Sequence, residues 1–164
     1  MARFLIIGCG CRGRLLAAQL AAGGHAVRGT TREPGNRAAI EAVGTEAVIC
    51  DPDRIATVVG ALDHVSVLCV LLGSAVGAPD RLIALHGSRL EMLLTRVLDT
   101  TVRGIVYEAA GSVEKKVLRA GVAIVRNACD RSLIPYSLLT AAPADSAAWQ
   151  AAAMVAIEQV LRAR

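Results

Sequence analysis

Aromatic side chains are scarce in this chain of 164 residues, at 2% of the total, with one tryptophan, two tyrosines and one phenylalanine. Proteins that bind single-stranded nucleic acids usually stack the bases on aromatic rings, so this scarcity argues against that class of ligand. Hydrophobic residues nevertheless make up 54% of the chain, which is long enough to bury one substantial core. That core must therefore be built from Ala, Val, Leu and Ile.

Long hydrophobic runs are missing as well. The most apolar stretch, Val65 to Leu72, is interrupted only by Ser66 and is far shorter than the roughly 20 residues of a membrane span. Phe4 to Ile7 is too short for the apolar region of a signal peptide and runs directly into a glycine turn. Five cysteines in irregular positions indicate a reducing compartment and no disulfide framework. We therefore expect a cytoplasmic protein that does not bind a membrane.

No block of lysine or arginine stands out, although the formal net charge is +4 and the isoelectric point is near 9.0. Basic residues spread in this way are typical of a solvated surface, and we expect no nucleic acid partner. The segment from Gly73 to Gly77 does not fit the G-x-S-x-G turn of hydrolases, and no G-x-x-x-x-G-K-[ST] phosphate loop occurs. His25, His64 and His86 lie at the edges of predicted elements, where we expect surface or capping roles.

What the sequence does contain is a glycine-rich turn between its first apolar strand and a Leu- and Ala-rich helical segment. Gly8, Gly10 and Gly13 fit G-x-G-x-x-G, in which the first glycine turns the chain, the second admits a pyrophosphate and the third lets helix pack on strand. We interpret this turn, with Arg12 inside it, as a dinucleotide-binding site. Cys9 and Cys11 flank the second glycine without zinc spacing, so we predict no metal site and interpret them as small turn residues; a redox role is the alternative.

Apolar stretches alternate with helical patterns along the whole chain, which predicts a parallel sheet joined by right-handed crossovers. We expect an α/β fold, a single doubly wound Rossmann domain over residues 1–164 with helices on both faces and no separate substrate domain. Its sheet would have about six strands in the order 3-2-1-4-5-6. The predicted strands are 4–7, 25–30, 46–50, 65–72, 102–107 and 134–139, and the predicted helices are 14–22, 36–43, 55–62, 88–98, 113–131 and 146–161, with caps at Asn36 and Asp145 and a loop beginning at 77–79.

The end of the second predicted strand distinguishes between cofactors. Sites for NAD, like most sites for S-adenosylmethionine, place an Asp or Glu there to hold the ribose hydroxyls. This chain has Thr30, Thr31 and Arg32 instead, and Glu33 already lies in the following turn. Arg32 can bind the 2′-phosphate of NADP with the threonine hydroxyls as further donors, and Arg12 is a second candidate. The sequence therefore favours NADP, and a solvent-facing Arg32 is the alternative.

With these features, the chain resembles the atypical, NmrA-like and extended branches of the short-chain dehydrogenase/reductase superfamily over essentially its whole length. HAVRGTTREP is similar to the family's second strand with its NADP-selecting arginine, and VICDPD to the third strand, whose last Asp, here Asp51, lies by the adenine. VSVLCVLLGSA resembles the fourth strand, whose end at Leu71, Leu72 and Gly73 is implied to pass the nicotinamide ribose. IPYSLLTAAP resembles the sixth strand with its following proline. The resemblance implies an NAD(P)-binding Rossmann protein.

The catalytic set of that family is missing. Its reductases pair a Ser or Thr after the fifth strand with Tyr-x-x-x-Lys on the next helix, in which the tyrosine donates a proton. Here GIVYEAAGS has Ala109 and Ala110 where the hydroxyl residue is expected, and no Tyr-x-x-x-Lys occurs. Tyr107 and Glu108 are candidate substitute polar groups, with ordinary packing at a strand end as the alternative. The catalytic residues are therefore unknown from the sequence.

Two functions remain open. The first is an oxidoreductase that binds NADP(H) and passes hydride to an unidentified small molecule. The second is a non-catalytic NADP(H)-binding module that senses redox state or regulates a partner, as NmrA-like proteins do. A structural domain without a nucleotide is a third alternative. The resemblance also implies a homodimer, because helices matching 88–98 and 113–131 commonly form a four-helix interface in that family.

Overall fold

Strands and helices alternate along the chain. The computed structural model describes residues 1–163, and Arg164, the last residue of the domain predicted over 1–164, lies outside the described residues. A 3-10 turn at Pro34–Asn36 precedes the second helix. The elements, in chain order, are β1 (Arg3–Ile7), α1 (Cys11–Ala22), β2 (Ala26–Thr31), α2 (Arg37–Glu41), β3 (Glu46–Ile49), α3 (Ile55–Ala61), β4 (Val67–Val70), α4 (Pro79–Leu85), α5 (Ser88–Val97), β5 (Gly104–Glu108), α6 (Lys115–Ser132), β6 (Tyr136–Leu139) and α7 (Ser146–Arg162).

The strands within residues 1–163 form one parallel sheet in the order β3-β2-β1-β4-β5-β6. The predicted doubly wound α/β fold, with strand order 3-2-1-4-5-6 and helices on both faces, is confirmed. In the centre of the sheet, Phe4 of β1 lies opposite Val27 of β2 on one side and Val67 of β4 on the other. The strand order changes direction between β1 and β4, and open sheets of this kind bind ligands at the carboxyl ends of such a pair.

Side chains of β1 pack into two separate cores, because neighbouring residues of a strand point to opposite faces of the sheet. Phe4 and Ile6 pack against α1 and α7 on one face. Leu5 and Ile7 pack against α3, α5 and α6 on the other face. Burial on both faces explains why this strand is a continuous apolar run in the sequence.

The loop predicted from 77–79 onward is wrong, because Pro79–Leu85 forms α4. Pro79 lies in the first turn, where its missing N–H removes no helical hydrogen bond, and Asp80 lies near the positive end of the helix dipole. These start signals are visible in the sequence. The helix has only 7 residues, however, which is too short for a convincing amphipathic pattern.

Two predicted helix caps have different outcomes. Asp145 caps α7 as predicted, since its carboxylate accepts a hydrogen bond of 3.0 Å from the backbone N–H of Ala148. Asn36 makes no side-chain cap, because it ends the 3-10 turn, and the helix predicted at 36–43 covers only Arg37–Glu41.

No helix within residues 1–163 is both long and apolar enough to cross a bilayer.

Gly121 lies in the middle of α6 without interrupting the helix. A Cβ at this position would overlap the hydroxyl of Tyr107 and lie 2.8 Å from its ring carbon Cζ. The glycine therefore allows α6 to approach β5 closely enough to cover this tyrosine.

We expect Gly121→Ala to lower the free energy of unfolding by about 1–3 kcal/mol, because a tightly packed core must shift to accept the new methyl group. Chemical denaturation followed by circular dichroism measures the change. Gly60→Ala is the matched control, since Gly60 also lies in a helix and a Cβ there meets no atom within 4 Å. The control should leave stability unchanged or raise it by up to about 1 kcal/mol. Equal effects of the two substitutions would contradict the tight contact.

Candidate functional site

A cleft of about 350 Å³ opens at the carboxyl ends of β1, β2, β3 and β4. The turns that follow these strands form its walls, and α4 contributes to one side. The cleft lies in the crevice at the ends of β1 and β4, where the strand order changes direction. Most of the site residues predicted from the sequence line this cleft: Gly8, Cys9, Gly10, Arg12, Thr30, Thr31, Arg32, Leu71 and Leu72.

The three glycines of the turn have different surroundings. Gly8 has a φ of +85°, and a Cβ there would overlap the carbonyl oxygen of Leu71, so only glycine fits. At Gly13 a Cβ would lie 2.9 Å from the carbonyl oxygen of Gly8, because α1 packs closely on the end of β1. At Gly10 a Cβ would meet no protein atom within 4 Å. Nothing in the described protein therefore requires a glycine at position 10, whereas a ligand lying on the backbone would require one.

The first turn of α1 is open to an anion. The helix begins at Cys11 directly after Gly10, and it has neither a side-chain cap nor an acidic residue in its first turn. Free backbone N–H groups and the positive end of the helix dipole therefore face the cleft at the glycine turn. Phosphate groups are commonly bound at such helix ends.

Four arginines line the cleft, namely Arg12, Arg14, Arg32 and Arg81, and no Asp or Glu does. Arg81 is compensated, because its Nε lies 2.7 Å from a carboxylate oxygen of Asp53. Within residues 1–163 the other three make no ion pair. The cleft therefore has an excess of positive charge and is suited to a ligand with several negative charges.

The end of β2 contributes two threonines and an arginine. Thr30 is buried, whereas Arg32 is exposed beside the cleft. The hydroxyl of Thr31 is used within the turn, since it accepts a hydrogen bond from the Glu33 N–H at 3.1 Å and donates one to the Glu33 carbonyl at 3.2 Å. Thr31 therefore shapes the turn that carries Arg32, and its hydroxyl proton is already in use.

The remaining predicted site residues lie outside the lining of the cleft. The carboxylate of Asp51 accepts the N–H of Asp53 at 3.0 Å, in the turn after β3. The N–H of Gly73 donates to an oxygen of Glu108 at 2.7 Å. Cys11 and Gly13 line a second, smaller space behind the glycine turn.

This second space, here called the inner cavity, measures about 90 Å³. Its walls are the glycine turn, Leu71, Arg12, Glu108 and Trp149. Glu108 is 1% exposed, and its carboxylate bridges two elements: one oxygen accepts the Gly73 N–H and the other accepts the indole N–H of Trp149 at 2.8 Å. The guanidinium carbon of Arg12 lies 5.5 Å from the centre of the Trp149 ring, within the range of a cation–π contact.

Opposing influences act on the pKa of Glu108. Burial is the largest influence and raises the pKa above its ordinary value, although the hydrogen bonds from Trp149 and Gly73 and the charge of Arg12 act in the opposite direction. Glu108 is a candidate polar group in the sequence, but no local pattern connects it with Gly73 and Trp149, which lie 35 and 41 residues away along the chain.

His86 lies at the C-cap of α4, but the surface position that was the other expectation for it is wrong, because this residue is 1% exposed. Its Nε2 lies 3.0 Å from the carbonyl oxygen of Leu72 and its Nδ1 lies 2.6 Å from the hydroxyl of Tyr107. A carbonyl only accepts, so Nε2 carries the proton and Nδ1 accepts from the tyrosine. Burial raises the pKa of Tyr107 and lowers the pKa of His86. Tyr107 is therefore a neutral donor sealed behind the sheet.

Three of the five thiols lie at the glycine turn or the cleft. Burial raises the pKa of Cys9 to about 11 and also raises the pKa of Cys50. Both residues line the cleft as neutral, weakly polar groups. Cys11 is exposed, and its sulfur accepts a hydrogen bond of 3.4 Å from the Arg14 guanidinium. Within residues 1–163 no three His, Cys, Asp or Glu side chains come together as a group that could hold a metal ion.

The strand order and the helices on both faces define a doubly wound α/β domain, and comparisons of the structure give the same fold. A short-chain dehydrogenase/reductase superfamily protein from Agrobacterium tumefaciens, solved with bound NAD, matches with a TM-score of 0.69 and 20% identity, over 83% of this chain and 48% of that chain. The UDP-Glc/GlcNAc 4-epimerase of Campylobacter jejuni matches with a TM-score of 0.71 and 12% identity, over 84% and 52%. A triphenylmethane reductase from Citrobacter sp., complexed with NADP(H), matches with a TM-score of 0.62 and 19% identity, over 83% and 48%.

This chain thus spans about half the length of these solved proteins. At identities of 12–20%, the likeness to these solved proteins concerns the fold. No family model matches the sequence. No curated protein matches it either.

We expect His86 to make the stability of the protein depend on pH. In the unfolded chain a histidine gains a proton near pH 6.5, whereas the buried His86 resists protonation. Its contribution is therefore complete above about pH 6.5 and is lost as pH falls through its lowered native pKa. The stability difference between the wild type and His86→Gln should shrink from pH 7.5 to pH 5.5, by at most about 1.4 kcal/mol per pH unit. Urea denaturation at each pH measures it, and a constant difference would contradict the neutral buried histidine.

Proposed function

We propose that this protein binds NADP(H) in the cleft at the carboxyl ends of β1 to β4. The observation that carries the proposal is the charge of the cleft, whose lining includes four arginines and no carboxylate beside the uncapped start of α1. The open space at Gly10 is a second support, since the protein itself does not fill it. NADP(H) is a ligand with several phosphate charges, and it is the type of ligand for which this turn is known.

In the proposed complex, the pyrophosphate lies on the glycine turn and the adenosine lies between the ends of β2 and β3. Arg32 binds the 2′-phosphate, because it is exposed, makes no ion pair within residues 1–163 and follows the strand that would carry the acid of an NAD site. Leu71 and Leu72 border the path toward the nicotinamide ribose. The proposed cofactor-binding set is Gly8, Cys9, Gly10, Cys11, Arg12, Gly13, Thr30, Thr31, Arg32, Asp51, Leu71, Leu72 and Gly73.

NADP is proposed over NAD on electrostatic grounds. The end of β2 offers one cation, Arg32, and Glu33 is not part of the cleft lining. A ribose with free hydroxyls would find no carboxylate acceptor there, whereas a phosphate gains a charge-assisted contact with Arg32.

The proposed reaction is hydride transfer between NADP(H) and a small-molecule substrate, as in enzymes of the short-chain dehydrogenase/reductase type. When bound, the nicotinamide would supply the redox chemistry, and the protein would bind and orient both molecules. The neighbours solved with NAD or NADP(H) support this type of cofactor.

A second candidate is a non-catalytic module that senses NADP(H) or regulates a partner, as in NmrA-like proteins. The sealed position of Tyr107 favours it, since this hydroxyl is 0% exposed and already donates to His86. Ala109 and Ala110 follow β5, and neither can supply a proton. The oxidoreductase hypothesis predicts oxidation of NADPH by a carbonyl or quinone acceptor, whereas the sensing hypothesis predicts binding without turnover.

Calorimetric titration with NADPH, NADP, NADH and NAD at one salt concentration tests the proposed ligand. Tight binding of NADP(H) with weak binding of NAD(H) would support the site. Absence of binding by all four nucleotides would contradict it.

We expect Arg32→Ala to weaken NADP binding by about 10- to 150-fold and to leave NAD binding nearly unchanged. The reason is the loss of one charge-assisted contact, which is worth roughly 1.5–3 kcal/mol. Calorimetry on both nucleotides measures the effect. Gly10→Val serves as the reference for a blocked turn and should abolish binding of both nucleotides. An equal loss for NADP and NAD in the Arg32 variant would remove the 2′-phosphate assignment.

We also propose that the protein is a homodimer through α5 and α6. A groove of about 230 Å³ runs between these helices, and Leu98 at its edge is 56% exposed. Met92 on α5 is exposed as well. A second copy would cover these two exposed apolar side chains.

We expect light scattering at micromolar concentration to give the mass of a dimer. Leu98→Glu should shift the protein toward the monomer, because a charge in an apolar interface loses its hydration. Arg54→Glu, a charge change at an exposed residue away from this groove, is the control and should leave the mass unchanged. A monomeric wild type would contradict the proposal.

A cytoplasmic location is proposed as well. All five cysteines are free thiols in the structure, which agrees with a reducing compartment.

A further inference from the structure

The inner cavity places two opposite charges beside one small space. Glu108 is fixed on one side, because each of its oxygens accepts an N–H from a different element. An ionised carboxylate has about four acceptor positions, so further donors can still bind. Arg12 lines the same space, with its guanidinium over the ring of Trp149. No ion pair joins Arg12 to Glu108 within residues 1–163, so the space between the two charges is not closed by their own contact.

Arg12 also has an unmet hydrogen bond. Its Nε is buried and has no hydrogen-bond partner within residues 1–163. A buried N–H donor without a partner is unfavourable, so an acceptor is expected in this place. Arg12 lines both the cleft and the inner cavity, as do Gly8, Gly10 and Leu71. A ligand that follows the glycine turn can therefore reach both spaces.

A suitable ligand group is small, neutral and carries both an acceptor and a donor. Its acceptor would meet Arg12, and its donor would meet Glu108. A carboxylate would gain at Arg12 but would lack a donor for Glu108 and would be repelled by it. A primary carboxamide has the required C=O and N–H₂ on one planar group, and it is small enough for a space of about 90 Å³.

We propose that the inner cavity binds the carboxamide of the nicotinamide, with its oxygen accepting from Arg12 and its amide N–H donating to Glu108. This inference rests on the proposed function, since it concerns the nicotinamide end of the same ligand. In this arrangement Arg12 binds the nicotinamide end of NADP, and Arg32 alone binds the 2′-phosphate. Trp149 positions both charged groups, through its indole N–H and its ring face.

Trp149 is the one tryptophan of the sequence and is fully buried beside the cavity, so its fluorescence reports on this site. NADP should change the Trp149 emission. Adenosine 2′,5′-bisphosphate has the 2′-phosphate but no nicotinamide, and it should bind without changing the emission. A third ligand, the NADP analogue with nicotinic acid in place of nicotinamide, should bind about tenfold more weakly than NADP because its carboxylate faces Glu108.

Variants separate the two ends of the ligand. Glu108→Gln should remove the preference for NADP over the nicotinic acid analogue. Glu108 also holds Gly73 and Trp149, and if this variant does not fold, Arg12→Met provides the test. It should lower the affinity for NADP about tenfold and leave the affinity for adenosine 2′,5′-bisphosphate within about twofold. Arg14→Met is the matched control, since Arg14 lines the cleft but not the inner cavity, and it should change both affinities by the same factor.

The outcomes separate this inference from the proposed function. If NADP and adenosine 2′,5′-bisphosphate both bind and have the same effect on Trp149, or if Arg12→Met weakens both equally, the inference is overturned and the proposed function stands. If neither ligand binds, the proposed function fails and the inference fails with it. A selective effect of NADP on Trp149, lost together with its extra affinity in Arg12→Met, supports both.

Discussion

The close contact between Gly8, Gly13 and the end of β4 determines most of the site. Gly8 has a positive φ against the carbonyl of Leu71, and Gly13 lies against the carbonyl of Gly8. A side chain at either position would push α1 away from the sheet. Because neither carries one, α1 starts directly at the carboxyl ends of β1 and β4, and its free N–H groups face the crevice between them. The cleft and the inner cavity both border this contact, since Gly8 and Leu71 line each of them.

The carboxylate of Glu108 extends this arrangement across the sheet. It connects the backbone N–H of Gly73, after β4, with the indole of Trp149 in α7. No local sequence pattern predicts that these two parts of the chain meet. The final helix thereby contributes directly to the site, since Trp149 supports the Arg12 guanidinium. Burying a carboxylate is costly unless its oxygens are satisfied, and here an N–H group satisfies each of them. Such a group is expected to be rigid, which suits recognition of one ligand orientation.

The sequence predicts what depends on local pattern and fails where distant contacts decide. Apolar strands, the glycine turn and Arg32 are visible because each occupies a short continuous stretch, so the fold and much of the cleft lining follow from them. His86 was expected in a surface or capping role because it lies at the edge of a predicted element. Its burial depends on Tyr107, 21 residues away, and on Leu72. The roles of Glu108 and Trp149 likewise depend on the packing of α7. Neither the contacts of His86 nor that between Glu108 and Trp149 can be predicted from composition or local pattern.

The position of Tyr107 limits the chemistry that the proposed site can perform. Reduction of a simple ketone needs a proton at the new alkoxide as well as a hydride at carbon. Tyr107 cannot give that proton, because its hydroxyl lies behind the sheet and already donates to His86. An acceptor whose reduced form is a stabilised anion, such as a quinone, depends less on a proton from the protein.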